Sequence, residues 1–345
     1  MIKTGIVGAT GYGGAELVRL LLGHPDVQLT AISSVSFEGM PFDEVYPSYA
    51  GLCSLPCLKQ QDVVDQCDVV FAALPHGLSQ DLAQDCHDKA KVFIDLGADF
   101  RLDSEEEYKT WYNGTFKNKE LHEQAVYGLP ELFRESIQNQ KVIANPGCYP
   151  TAVALALAPA VREGLVEFSG IIADCKSGVT GAGRSPSATT HYPNLNESFS
   201  AYKIASHRHT PEMQQTLSHM ANGEPVSLTF VPHLLPINRG ILATCYAKLR
   251  DGVSMEQVRK AYGEFYDGEF FVRLLPEGKC ADVKNVRCSN FCDLSLFVDP
   301  RANSLIAVSA IDNMVKGAAG QAIQNMNLAF GLPETQGLIL VPPAF

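Results

Sequence analysis

A short β-branched run, Ile2–Val7, opens directly onto Gly8-Ala9-Thr10-Gly11-Tyr12-Gly13-Gly14, and a helical stretch follows from Ala15 to Leu22. This strand, glycine turn and helix constrain the fold more than any other part of the chain. Glycines in such a turn let backbone come close to an anionic group. The helix behind it supplies free N–H groups and the positive end of its dipole. The spacing is G-x-x-G-x-x-G rather than the commoner G-x-G-x-x-G, so the motif takes its weight from the strand and helix that flank it. Gly23 and Pro25 then end the helix.

The same alternation continues through the first half. Val27–Ser33, 68–74, Val92–Asp95 and 141–144 read as short apolar strands, with a polar helix near 79–87. Continuous apolar strands separated by helices predict an α/β fold, a Rossmann-type doubly wound parallel sheet covered on both faces. After about residue 165 the pattern changes. Runs at 171–176, 226–231, 241–249, 294–298 and 305–311 follow one another, with one clear helix at 254–266. Successive strands predict a mixed sheet in a second, α+β domain. A last helix spans 314–329 and stops at Gly331-Leu332-Pro333. Two domains also suit a chain of 345 residues.

Charge narrows the partners. Lys+Arg number 27 against 38 Asp+Glu, a net charge of −11, which argues against nucleic acid or an anionic membrane as partner. The longest apolar stretch, 151–161, contains Pro159 and is too short to span a bilayer. The N-terminus lacks the pattern of a signal peptide, so a cytoplasmic location is expected. Ten cysteines are scattered with no C-x-x-C pair. The two C-x-x-x-C spacings, Cys53/Cys57 and Cys288/Cys292, have no histidine nearby, and no metal site is expected. Most of these thiols read as small buried apolar side chains.

Cys148 differs. It lies in Asn145-Pro146-Gly147-Cys148-Tyr149-Pro150-Thr151, between a strand and an Ala/Leu-rich helix expected to begin just after Pro150. At a helix N-terminus the dipole and free N–H groups favour a thiolate, and the same donors suit an oxyanion formed when sulfur attacks a carbonyl. A proton acceptor is offered by Ser206-His207-Arg208-His209-Thr210-Pro211-Glu212, with Thr210 as the expected N-cap of a following helix. Either histidine fits, and Arg208 adds an anion clamp. Arg239, beside Gly240, is a second candidate for an anion. At the end of the second strand, where NAD-binding folds place an acid, stand Ser33 and Ser34. Two hydroxyls without a carboxylate tolerate a ribose 2′-phosphate and favour NADP, although the arginine expected beside it is absent.

Together with 96–101 (Leu-Gly-Ala-Asp-Phe-Arg), 127–131 (Tyr-Gly-Leu-Pro-Glu), 177–184 (Ser-Gly-Val-Thr-Gly-Ala-Gly-Arg) and 310–317 (Ala-Ile-Asp-Asn-Met-Val-Lys-Gly), these segments resemble the N-acetyl-γ-glutamyl-phosphate reductases of arginine biosynthesis, nearly end to end. The resemblance implies an aspartate-semialdehyde-dehydrogenase-like architecture. It implies an NADP-binding domain over 1–148, a catalytic and oligomerisation domain over 149–313, and a C-terminal segment 314–345 that returns to the first. It matches Cys148 to the nucleophile, His207 to the base and Tyr202 to a tyrosine near the active site. Gly8, Thr10, Gly11, Tyr12, Gly13, Ser33, Ser34, Pro75, Ser177, Gly181 and Ala182 form the expected cofactor set, and Tyr202, Arg208 and Arg239 the substrate set. A homo-oligomer, dimer or tetramer, is implied as well.

The expected reaction is NADPH-dependent reduction of an acyl phosphate to an aldehyde through a Cys148 thioester. The competing substrates are aspartyl phosphate and a longer N-acylated aminoadipyl phosphate. A Cys–His hydrolase would use the same thiol without nicotinamide, and a non-enzymatic NADP sensor would leave Cys148 and His207 unexplained.

Overall fold

The computed structural model describes all 345 residues. They form two compact units: Met1–Pro146 with Ala318–Ile339, and Gly147–Gly317 with Leu340–Phe345. The break thus falls after Pro146, and the last six residues group with the second unit.

The first unit holds seven strands: β1 (Ile2–Val7), β2 (Val27–Ser33), β3 (Cys57–Leu58), β4 (Val69–Ala72), β5 (Val92–Asp95), β6 (Val126–Tyr127) and β7 (Val142–Ala144). Their order is β3-β2-β1-β4-β5-β7-β6, and every pairing is parallel. The order reverses between β1 and β4, and a doubly wound sheet offers its crevice there, beyond the carboxyl ends of the strands. β1 ends at the glycine turn. Strands β4 and β5 are buried at every residue, as their uninterrupted apolar sequences predict. The helix Gly320–Ala329 packs in this unit against the helix Pro130–Ile137 and β5.

The second unit is built on a mixed sheet: β8 (Ile171–Ser177), β9 (Ser200–Ala201), β10 (Leu228–Leu234), β11 (Ile241–Lys248), β12 (Val272–Leu274), β13 (Cys292–Asp299) and β14 (Ser304–Ile311). The order is β12-β13-β14-β11-β8-β10-β9, with β8/β10 and β12/β13 parallel and the other pairs antiparallel. Burial alternates along β8, β11 and most of β14. One face, with Ala173, Cys175, Ala243, Cys245 and Ala307, is fully buried, and the helix Cys148–Arg162 packs on this sheet. The other, with Ile172, Leu242, Tyr246 and Ile306, is only partly covered in the monomer.

That helix corrects a sequence expectation. It starts at Cys148 rather than after Pro150, with Gly147 as an extended N-cap, and it runs through Pro159 to Arg162. Pro159 has no N–H for the Leu155 carbonyl one turn back. Tyr266 fills the gap: its hydroxyl donates to Leu155 O at 2.6 Å. Tyr262 donates to Ala156 O at 2.6 Å and takes a hydrogen bond from the Ala160 backbone, so its hydroxyl is inserted into the ladder. Both tyrosines come from the segment Met255–Tyr266, whose helix begins with a complete capping box at Ser254 and Gln257.

Candidate active site

In the second unit, Cys148 occupies the first helical position of a 15-residue helix and is partly exposed, unlike seven of the other nine cysteines, which are buried. The Gly147 carbonyl accepts from both the Thr151 N–H (2.9 Å) and the Thr151 hydroxyl (3.0 Å), which closes the first turn. Behind the thiol lies Gly317. A Cβ there would sit 2.7 Å from the Cys148 Cβ, so only glycine fits. Gly317 follows Asp312, a fully buried carboxylate that accepts from the N–H groups of Met314, Val315 and Cys288.

The side chain after the nucleophile gathers the rest. The Tyr149 hydroxyl lies 3.1 Å from that of Tyr202, and its ring is 5.7 Å from His207 and 6.0 Å from His209. Burial pushes both phenols up, Tyr202 to about 12. The His207 ring also meets Tyr202 at 5.6 Å and Phe230 at 5.1 Å. This burial, helped by the charges of Lys203 and Arg208, pushes His207 down to about 4, so the imidazole is neutral at neutral pH. The His209 N–H donates to His207 Nδ1 at 3.1 Å. A backbone N–H can only donate, so the His207 proton sits on Nε2.

The structure brings Cys148, Tyr202, His207 and His209 into this one cluster. Ser177 joins it through a hydrogen bond to Tyr149. The helix carrying the His-Arg-His segment begins at Thr210 with His209, not Thr210, as N-cap. The Thr210 hydroxyl instead turns back to the His207 carbonyl at 2.8 Å. Arg239 Nη1 lies 3.5 Å from Asp312 Oδ1. It opens on a cleft of about 340 Å³ with Lys284 and Arg287. Gly181 and Ala182 are exposed in a short 3₁₀ turn after β8, and Gly181 faces the Asn313 amide and the Ser177 hydroxyl.

The remaining cofactor candidates lie in the first unit. Gly8 has φ +86°, and a Cβ there would meet Ala73 O at 2.5 Å. At Gly11 and Gly13 a Cβ would make only ordinary contacts, with Gly8 O at 3.5 Å and a Leu96 methyl at 3.9 Å, and Gly14 packs on Gly8 and Ala9. The helix Tyr12–Leu21 has Gly11 as N-cap and no side-chain cap, so its first N–H groups face outward. A pyrophosphate fits this cradle. The Ser34 hydroxyl is bonded to that of Thr10 at 2.6 Å, and the Ser33 carbonyl accepts from Gly8 and Ala9. Pro75 is exposed in the loop after β4. Asp99 grips that loop through Gly77 N (2.6 Å) and Ser79 N (2.9 Å), a role with no sequence signal because its partners are 20 and 22 residues away.

The two folds, with a thiol at a helix start and a neutral histidine near it in the second unit, define a semialdehyde dehydrogenase. The family model described as "Semialdehyde dehydrogenase, NAD binding domain" matches residues 3–140, and "Semialdehyde dehydrogenase, dimerisation domain" matches 148–313. Curated relatives called N-acetyl-gamma-glutamyl-phosphate reductase are 53% identical in Clostridium botulinum (strain Eklund 17B / Type B) and 54% in Clostridium beijerinckii, with both chains covered in full. The relative of that name from Brachyspira hyodysenteriae is 52% identical, again with complete coverage. The chain belongs to the N-acetyl-gamma-glutamyl-phosphate reductase family. It is an oxidoreductase that uses a nicotinamide cofactor. The fold is also that of aspartate semialdehyde dehydrogenase II from Vibrio cholerae, with a TM-score of 0.75 at 16% identity over 96% of this chain and 98% of that one. No helix is long and apolar enough to cross a membrane.

Proposed function

We propose that the enzyme reduces N-acetyl-γ-glutamyl phosphate to N-acetyl-glutamate 5-semialdehyde, releasing phosphate, with NADPH as the reductant. The observation that carries this reading is Cys148 at the first turn of a buried helix whose next residue, Tyr149, packs against a histidine held neutral. Full-length identity to relatives bearing the reductase's name supports the substrate.

The helix N-terminus favours the Cys148 thiolate, which attacks the acyl carbon; the C–O bond to phosphate breaks and a thioester forms. His207 Nε2–H is a donor in its neutral form, suited to the carbonyl oxygen that gains charge as sulfur adds. Bound NADPH supplies the hydride that takes the thioester to the aldehyde level. Hydride addition leaves a tetrahedral oxyanion to which the His207 Nε2–H can donate a hydrogen bond, and collapse of this oxyanion expels the Cys148 thiolate and frees the aldehyde. His207 is favoured over His209 as this group because its Nδ1 is anchored and its Nε2–H is left to the site.

Gly8, Thr10, Gly11, Tyr12 and Gly13 would hold the pyrophosphate end, and Ser33 and Ser34 the ribose. Ser177, Gly181 and Ala182 would lie beside the nicotinamide, and Pro75 is assigned to the cofactor set of the first unit. Tyr202, Arg208 and Arg239 would receive the substrate's anionic groups, which explains how a chain of net charge −11 accepts an anion. We assign the first unit to the cofactor and the second to catalysis. We also assign the half-covered face of the second sheet to a homo-oligomer contact, an assignment supported by Ile172, 42% exposed near the start of β8.

The test is phosphate-dependent reduction of NADP⁺ and of NAD⁺ with three semialdehydes: N-acetyl-glutamate, aspartate and N-acetyl-aminoadipate. Highest kcat/KM with the first and NADP⁺ is expected. C148S should abolish turnover, and a C148S enzyme that kept most of it would refute the thioester route.

A further inference from the structure

Glu212 is completely buried, and its Oε1 accepts the Gly147 N–H at 2.8 Å. Gly147 is the N-cap residue immediately before the nucleophile, and its carbonyl is already fixed twice by Thr151. With the N–H held as well, both polar groups of this residue are tied, and the position of the Cys148 Cα follows from them.

The other end of the carboxylate is just as well anchored. Glu212 is the third residue of the helix Thr210–Met220, and its carbonyl accepts from the Thr216 hydroxyl at 2.8 Å. The first residues of the same helix hold the histidine segment: Thr210 donates to the His207 carbonyl through both its N–H (3.0 Å) and its hydroxyl (2.8 Å), and the Met213 N–H donates to the His209 carbonyl. One short rigid piece thus carries His207 and the acceptor for the nucleophile's turn, although the two turns are 65 residues apart in sequence.

We infer that Glu212 is a positioning residue that registers the Cys148 turn against His207. An acid in the first turn of a helix ordinarily compensates the helix dipole and faces solvent. This one is spent on another helix's N-cap. Losing it frees the turn that carries the attacking atom, and a misplacement of about 1 Å at a reacting group costs up to ~10²-fold in rate.

The inference rests on Cys148 as the nucleophile. The test compares E212A, E212Q and E212D in the full-length enzyme by steady-state kinetics and by iodoacetamide labelling of the Cys148 peptide across pH, read by mass spectrometry. E212A should lower kcat by tens of fold, leave KM for NADP⁺ within about twofold, and shift the pH dependence of Cys148 labelling. E212Q should stay within about threefold of the parent, because its amide oxygen accepts the same N–H. E212D, whose carboxylate falls short by one bond of about 1.5 Å, should lie between them. If E212A does not fold, E212D carries the test, and parental kcat in E212D overturns the inference. So does folded E212A with kcat within about threefold of the parent, or an E212Q as slow as E212A. Should the parent itself lack phosphate-dependent turnover, the proposed function fails, while altered labelling in the variants still supports the role of Glu212.

Discussion

The Pro159 break in the nucleophile's helix makes a quantitative prediction about Tyr266. In the present chain Leu155 O is buried, has no N–H at the usual distance along the helix, and is served by the Tyr266 hydroxyl. Removing that hydroxyl in Y266F leaves a buried acceptor unsatisfied, at a cost of ~1–3 kcal/mol. In P159A, the new alanine N–H can reach Leu155 O, and the same Y266F change then removes only a redundant partner. The two substitutions should therefore couple by ~1 kcal/mol or more, against the ~0.3–0.5 kcal/mol within which independent sites add. The suitable assay is native-state hydrogen exchange of the amides in 148–162, read for all four members of the cycle. This reports opening of that helix directly and does not require the two units to unfold together. Additive effects would refute the reasoning, since they would mean that Tyr266 does not replace the bond Pro159 removes.

Three further outcomes follow from the geometry. G317A should cut kcat by at least ~10-fold while the chain stays folded, because the new methyl lands on Cys148, and kinetics with a thermal melt checks it. His207 should titrate near 4 by NMR and move up in K203Q, because one of the charges that lowers it is gone. Its folded pKa is depressed, so its contribution to stability is present above about 6.5 and is lost as the pH falls toward 4. Asp95 has the opposite sign. Burial, and then the neighbouring Asp99, push it up to about 7, so the stability it gives is complete below 3.8 and lost as the pH rises through 7. D95N should accordingly raise Tm at pH 8 and leave it nearly unchanged at pH 4, as melts at the two values would show.

Much of this molecule was legible in the sequence because its signals are local. The parallel sheet announced itself in runs such as Val69–Ala72, which are buried on both faces and need no alternation. Cys148 and the histidine pair were visible because turn chemistry and helix starts are written within a few residues. The errors were of the same local kind. The helix start was placed after Pro150 because proline suits a first turn, whereas the chain already turns helical at Cys148. Thr210 read as a cap because its hydroxyl could as well have faced forward. Glu212 was in view within the histidine segment but carried no role, and Asp99 likewise. A carboxylate's function is set by which backbone N–H it meets, and for both residues that donor comes from a distant part of the chain.

The features described around the thiol fall within Gly147–Gly317: the helix it starts, the glycine behind it, the histidine piece and the carboxylate that holds its turn. The glycine turn and the paired serines proposed for the dinucleotide's far end all belong to the other part of the chain. On the proposed assignment, preference for one nicotinamide or another is open to change at Ser33 and Ser34 without altering the residues described around the sulfur. Redesign can treat coenzyme choice and acyl chemistry as two independent dials, and natural drift among related enzymes is free to do the same.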